Sequence, residues 1–196
     1  DVFVLAGQSN MWWPYGSQNT AAYYPGVDAV INNGNVKFFR TEDVSAARPT
    51  FDITYFQSAG TQSWATVTNA NKDMVSMIGM YLAQELIGRN PDIPVGLMCV
   101  AWGGTDITQW IRQSPENNGE THYVANNGGI YNNHIAPLTN YNIAAVMWYQ
   151  GCNDWQRGPM YKEAFPILIN DYRNLWNRED LPFFYVQLAR YYYEGY

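Results

Sequence analysis

Charge is scarce in this chain. Asp, Glu, Lys and Arg make up only 14% of its 196 residues, and the balance is −6. With no run of Lys and Arg, it has no electrostatic footing for a phosphate backbone, which excludes nucleic acid as an expected partner. Long apolar runs are missing too. The longest, around Ile93 to Trp102, is far too short to span a bilayer, so no membrane role is expected. There are two cysteines, Cys99 and Cys152, and no Cys-x-x-Cys pair or His-Glu-x-x-His motif. The expected state of the cysteines is two buried free thiols, with a disulfide or a metal pair as the alternative; a zinc site has no ligand set, and no cofactor is expected. Histidine is equally rare: only His122 and His134 occur.

What is present is apolar and aromatic. Apolar residues reach 47% and aromatics 16%, which suits a compact globular protein. Most of the rings are expected in the core, and a minority could stack on the apolar face of a sugar. The chain opens on an apolar strand without a visible signal peptide. A secreted or otherwise extracytoplasmic location is nevertheless the expectation, since a fragment can have lost its leader.

Buried strands are expected at Val2 to Leu5 and Ile143 to Tyr149, a central one at Pro94 to Ala101, a last one at Phe183 to Leu188 and a peripheral one at Val36 to Phe39. Apolar residues at helical spacing predict a helix over Asp73 to Ile87, closed by Gly88. A second helix is expected over Tyr161 to Trp176, kinked at Pro166. The polar stretch from Ser114 to Asn133 reads as a surface excursion. Strands alternating with helices, and no linker, point to a single α/β domain over residues 1–196 with a mainly parallel sheet flanked by helices.

Ligands in such folds sit at the carboxyl ends of the strands. Three glycine-containing segments fall there: Gly7-Gln8-Ser9-Asn10-Met11, Trp102-Gly103-Gly104-Thr105 and Gln150-Gly151-Cys152-Asn153-Asp154. Ser9 follows Gly7 at a strand-to-loop turn, where its hydroxyl can face the cleft and its N–H a developing oxyanion. Met11 stands where a Gly-x-Ser-x-Gly elbow needs glycine. Gly103 and Gly104 allow close backbone approach, and the amides of Asn153 or Gln150 could donate to the same oxyanion. Each alone is more often an ordinary turn or cap residue.

Together the segments resemble blocks of the SGNH hydrolase superfamily, and within it the sialate O-acetylesterase-like and acetylxylan esterase-like families. Trp110, Ile130-Tyr131-Asn132, Ile135-Ala136-Pro137-Leu138, Trp148-Tyr149-Gln150-Gly151 and Phe184 to Leu188 extend the resemblance over nearly the whole chain. It implies a flavodoxin-like SGNH fold and metal-free serine-dependent removal of acetyl groups from sugars such as sialic acid or xylan. A sugar-binding protein that has lost catalysis is the alternative. By position, Ser9 becomes the nucleophile, and the N–H groups of Ser9 and of Gly104 or Gly103 the oxyanion hole. Asn153 or Gln150 would be the third donor, and Trp102, Trp110 and Asp154 substrate-side residues. Family members often have Gln-Gly-Glu where this chain has Gln150-Gly151-Cys152.

The resemblance fails at the family's Asp-x-x-His block. Gly119 precedes His122 by three residues and Tyr131 precedes His134 by three, and both histidines lie upstream of Asn153. His122 is expected in solvent. His134 is expected as a substrate-side or packing residue, with a substitute base as the alternative. The general base is therefore expected from a C-terminal segment beyond Tyr196 or from a second chain.

Overall fold

The computed structural model describes residues 1–14, 27–41, 63–112 and 128–190. Strands β1 (Val2–Gly7), β2 (Val36–Arg40), β3 (Ala65–Thr66), β4 (Val95–Cys99), β5 (Ala145–Tyr149) and β6 (Phe183–Tyr185) form one sheet in the order β3-β2-β4-β1-β5-β6. Among the described residues only the β2–β3 pair of this sheet is antiparallel. The mainly parallel α/β layering expected of an SGNH fold is thus present. Within it β1 lies between β4 and β5, an exchange of neighbours relative to the flavodoxin order. β2 is not peripheral: the short β3 pairs with its outer side.

The continuous apolar character of β1 reflects burial on both faces. Val4 and Ala6 enter one core with Trp110, Trp148, Leu168 and Tyr172, while Phe3 and Leu5 enter the other with Phe38, Met80 and Ala83. Helix α2 (Met77–Arg89) covers the second core, and the longest helix, α3 (Gly158–Leu175, with Pro166 inside it), covers the first. A four-residue helix, α1 (Ser9–Trp12), follows β1 directly.

Helix α2 begins later and ends later than its apolar spacing predicts. Lys72–Met74 is a separate 3-10 turn, and Ser76 caps α2 by accepting from the Gly79 amide. Serine is a strong cap, and this one sets the boundary. Gly88 does not end the helix, because Asn90 N still donates to Leu86 O. Ser76 Oγ also donates to Met11 O at 2.6 Å, which fixes α1 against α2.

The expected surface excursion divides. Residues 113–127, with His122, lie outside the described residues. Ile130 to Asn133 are buried, because the π-helical turn Tyr131–Ile135 drives Tyr131 and Ile135 into the core beside Tyr172. β6 pairs over only three residues, and Phe184 and Tyr185 face solvent.

The turn after β1 depends on one glycine. Gly7 has φ +142°, and a Cβ there would lie 2.2 Å from the Tyr149 carbonyl oxygen. Gly7→Ala must push β1 and β5 apart and is expected to cost roughly 2–4 kcal/mol of stability. A denaturation midpoint unchanged by the substitution would contradict this packing.

Candidate active site

The carboxyl ends of β4, β1 and β5 lie side by side, and the three glycine-containing segments leave from them. Trp102 N donates to Gly7 O at 2.8 Å, which lays the loop after β4 across the end of β1. A Cβ on Gly103 would stand 3.6 Å from Ser9 Cβ, so that loop passes within van der Waals reach of the serine. Gly104 is exposed with φ +71°. On the other side, Gln8 Oε1 accepts from the amides of Gly151 (3.2 Å) and Asn153 (3.3 Å). Asn10 Nδ2 donates to Cys152 Sγ at 3.4 Å. Ser9, half-buried at the start of α1, therefore stands between the glycine loop and the turn that carries Asn153. As the first residue of its helix, Ser9 has an N–H with no partner inside it.

Two residues expected in the cleft are used internally instead. Gln150 is buried, and its amide nitrogen donates to Thr105 O (2.9 Å) and Asp154 Oδ2 (2.6 Å). An amide has two hydrogens, so Gln150 keeps none for an oxyanion. Asp154 is 3% exposed. Its Oδ2 also accepts from Ile107 N at 3.0 Å, and Arg157 reaches its Oδ1 at 2.8 Å and Asp106 Oδ2 at 3.3 Å. Burial raises the Asp154 carboxyl above its ordinary range, opposed by the bonds from Gln150 and Ile107 and by Arg157. A desolvated carboxylate held this way serves the scaffold rather than a substrate. It ties the loop after β4 to the turn after β5.

Trp110 is likewise corrected from substrate wall to core. It is fully buried, meets Trp148 edge-on at 5.5 Å and donates from Nε1 to Thr105 Oγ1 at 3.0 Å. Thr105 in turn donates to Trp102 O, so Trp110 supports the glycine loop from below. Trp102 remains partly exposed. Its ring lies 5.5 Å from His134.

His134 is wholly buried. Its Nδ1 shares a 2.6 Å hydrogen bond with Thr41 Oγ1, and its ring contacts both Trp102 and Trp110. Neither cysteine is in a disulfide, and Cys99 is buried whereas Cys152 is exposed. Cys152 is exposed because it falls in the 3-10 turn Cys152–Asp154 rather than in the strand. Among the described residues no group of three or more His, Cys, Asp or Glu is placed to hold a metal ion. A cavity of about 380 Å³ opens beside the same turn, between α3 and β6, and Ser9 does not line it.

Gln8, Asn10, Asp106 and Arg157 were not singled out by the sequence. Arg157 had a signal, since it follows Asp154 by three residues. Gln8 had only its place beside Ser9.

Comparison with known proteins now decides the family. The family model described as carbohydrate esterase, sialic acid-specific acetylesterase, matches residues 1–195. This chain belongs to that family. Human sialate O-acetylesterase is 27% identical over 220 residues, which cover 96% of this chain and 39% of the human protein. The Pongo abelii sialate O-acetylesterase is 26% identical over 212 residues, with the same shares. The chain thus spans about 39% of the length of these relatives. The crystal structure of a carbohydrate acetylesterase from Xanthomonas citri superposes with a TM-score of 0.80 at 26% identity, covering 96% of this chain and 41% of that one. An Arabidopsis thaliana protein shares the fold at 21% identity and a TM-score of 0.57, covering 96% of this chain and 74% of that one.

In this member of the carbohydrate esterase family, Cys152 stands where the resemblance gives a glutamate. A thiol leaves Asn10 with a weak acceptor. Among the described residues no helix of this esterase-family chain is long and apolar enough to cross a membrane.

Proposed function

We propose that this chain carries the nucleophile and the oxyanion donors of a serine acetylesterase acting on O-acetylated sugars. The observation that supports it best is the convergence on Ser9 of the Gly103-Gly104 loop and the turn bearing Asn153. In this reading Ser9 Oγ attacks the acetyl carbonyl. The N–H groups of Ser9 and of Gly104 or Gly103, with the Asn153 side-chain amide, receive the charge that develops on its oxygen. The sugar oxygen leaves with a proton, and water releases acetate from acetyl-Ser9. Trp102, partly exposed beside the loop, is the sugar-facing ring. The imidazole that activates Ser9 comes from protein beyond these residues, as a further segment or a second chain. Two observations support that part: His134 is buried on Thr41, and the family relatives are far longer.

Turnover tests the reading. The active protein should release acetate from 4-nitrophenyl acetate and from an acetylated sugar, and acetylated sialic acid set against acetylated xylan identifies the substrate. Sugar binding without acetate release would support the non-catalytic alternative instead.

The third donor has its own test. Asn153→Ala should lower kcat by roughly 100- to 1000-fold, about 3–4 kcal/mol of transition-state stabilisation. Gln150→Ala should act on stability, costing roughly 1–3 kcal/mol, because it strips a bond from buried Asp154. The reverse pattern in kcat and denaturation midpoint would return the donor role to Gln150.

A further inference from the structure

We propose that Gln8 is a positioning residue that holds Asn153 in register with Ser9; the inference rests on the reading of Asn153 as an oxyanion donor. Gln8 occupies the cap position of α1 in an extended conformation (φ −99°, ψ −162°), yet its side chain makes no cap bond. It turns away to the neighbouring segment and is only 5% exposed. There Oε1 accepts two backbone amides, from Gly151 and Asn153. Its own N–H donates to Tyr149 O at 3.0 Å.

One residue therefore grips the end of β5 at one point and the turn after it at two, and the next residue in the chain is Ser9. The grip matters because of what it holds. Asn153 is itself exposed, and its turn is short: Asp154 N donates back to Gly151 O at 2.9 Å. Without Gln8 two of the amides of that turn lose their acceptor. An oxyanion donor works only where it is already in place when charge develops, with tolerances near half an ångström. Gln8 needs no contact with reacting atoms to affect the rate. A neutral amide oxygen also suits the position, since a carboxylate would put a buried negative charge beside the oxyanion.

The test uses Gln8→Met, which keeps length and packing and removes the acceptor, in the active enzyme. Expected is a fall in kcat of about 10- to 100-fold with KM within about twofold, and no further fall when the substitution is added to Asn153→Ala. A loss that multiplies with that of Asn153→Ala, or an unchanged kcat, overturns the proposal. A second measurement needs no substitution. In the unaltered protein the Asn153 amide should exchange slowly with solvent although the residue is exposed, and exchange at an unprotected rate overturns the strap directly. Should Asn153→Ala keep full turnover while Asn153 N is protected, the oxyanion reading fails and the strap stands as a structural tie only.

Discussion

Ser9→Ala is expected to abolish acetyl ester hydrolysis while leaving the fold intact. Ser9 is half-buried at the start of a four-residue helix, and the cap of that helix uses no side-chain bond. What locks the turn is backbone: Gln8 N to Tyr149 O, Trp102 N to Gly7 O and Trp13 N to Ser9 O. None of these involves the hydroxyl, so the stability change should stay within about 0.5 kcal/mol. The chemical loss is of another order. Removing the nucleophile of a serine hydrolase lowers kcat by on the order of 10⁶. Thermal denaturation beside acetate release separates the two effects, and an alanine variant with normal turnover would remove Ser9 from the mechanism.

The second large effect concerns the base. A serine hydroxyl is a weak nucleophile at neutral pH unless an imidazole takes its proton. His134 is poorly suited to that task, because it is fully enclosed and its Nδ1 is engaged by Thr41. With His134 so placed, and with Gly119 rather than Asp three residues before His122, the 196-residue chain alone should hydrolyse activated acetyl esters only at the residual rate that oxyanion donors sustain without a base. Protein that supplies an imidazole within about 3 Å of Ser9 Oγ should raise that rate by several orders of magnitude. Full activity of these 196 residues, silenced by His134→Ala, would make His134 the base.

The strands and their glycine-bearing ends were legible in the sequence for a physical reason. A strand buried on both faces must be apolar without interruption, and a chain that turns sharply at its end needs glycine, as Gly7 and Gly151 with their positive φ do. The resemblance between the three segments and a known family then led to the family that comparison established. The destinations of long polar and aromatic side chains were not legible. Gln150 meets Thr105 O, 45 residues away, and only the folded β4 and β5 ends bring them together. Trp110 was expected on the substrate side from its place in the resemblance, and the depth of the core beneath the loop decided for burial. Helix α2 was misplaced at both ends, since periodicity marks a face but Ser76 sets the start. Cys152, expected buried near the end of a strand, instead lies exposed in the turn that follows Tyr149.

The most direct test of the central claim is covalent. The active protein is treated with a fluorophosphonate that mimics the tetrahedral acyl-transfer geometry, and the modified peptide is mapped by mass spectrometry. A single phosphonyl adduct on Ser9, formed in step with loss of acetate release and absent from Ser9→Ala, is the predicted result. Inhibition accompanied by an adduct on any other residue, with Ser9 unmodified, would contradict it.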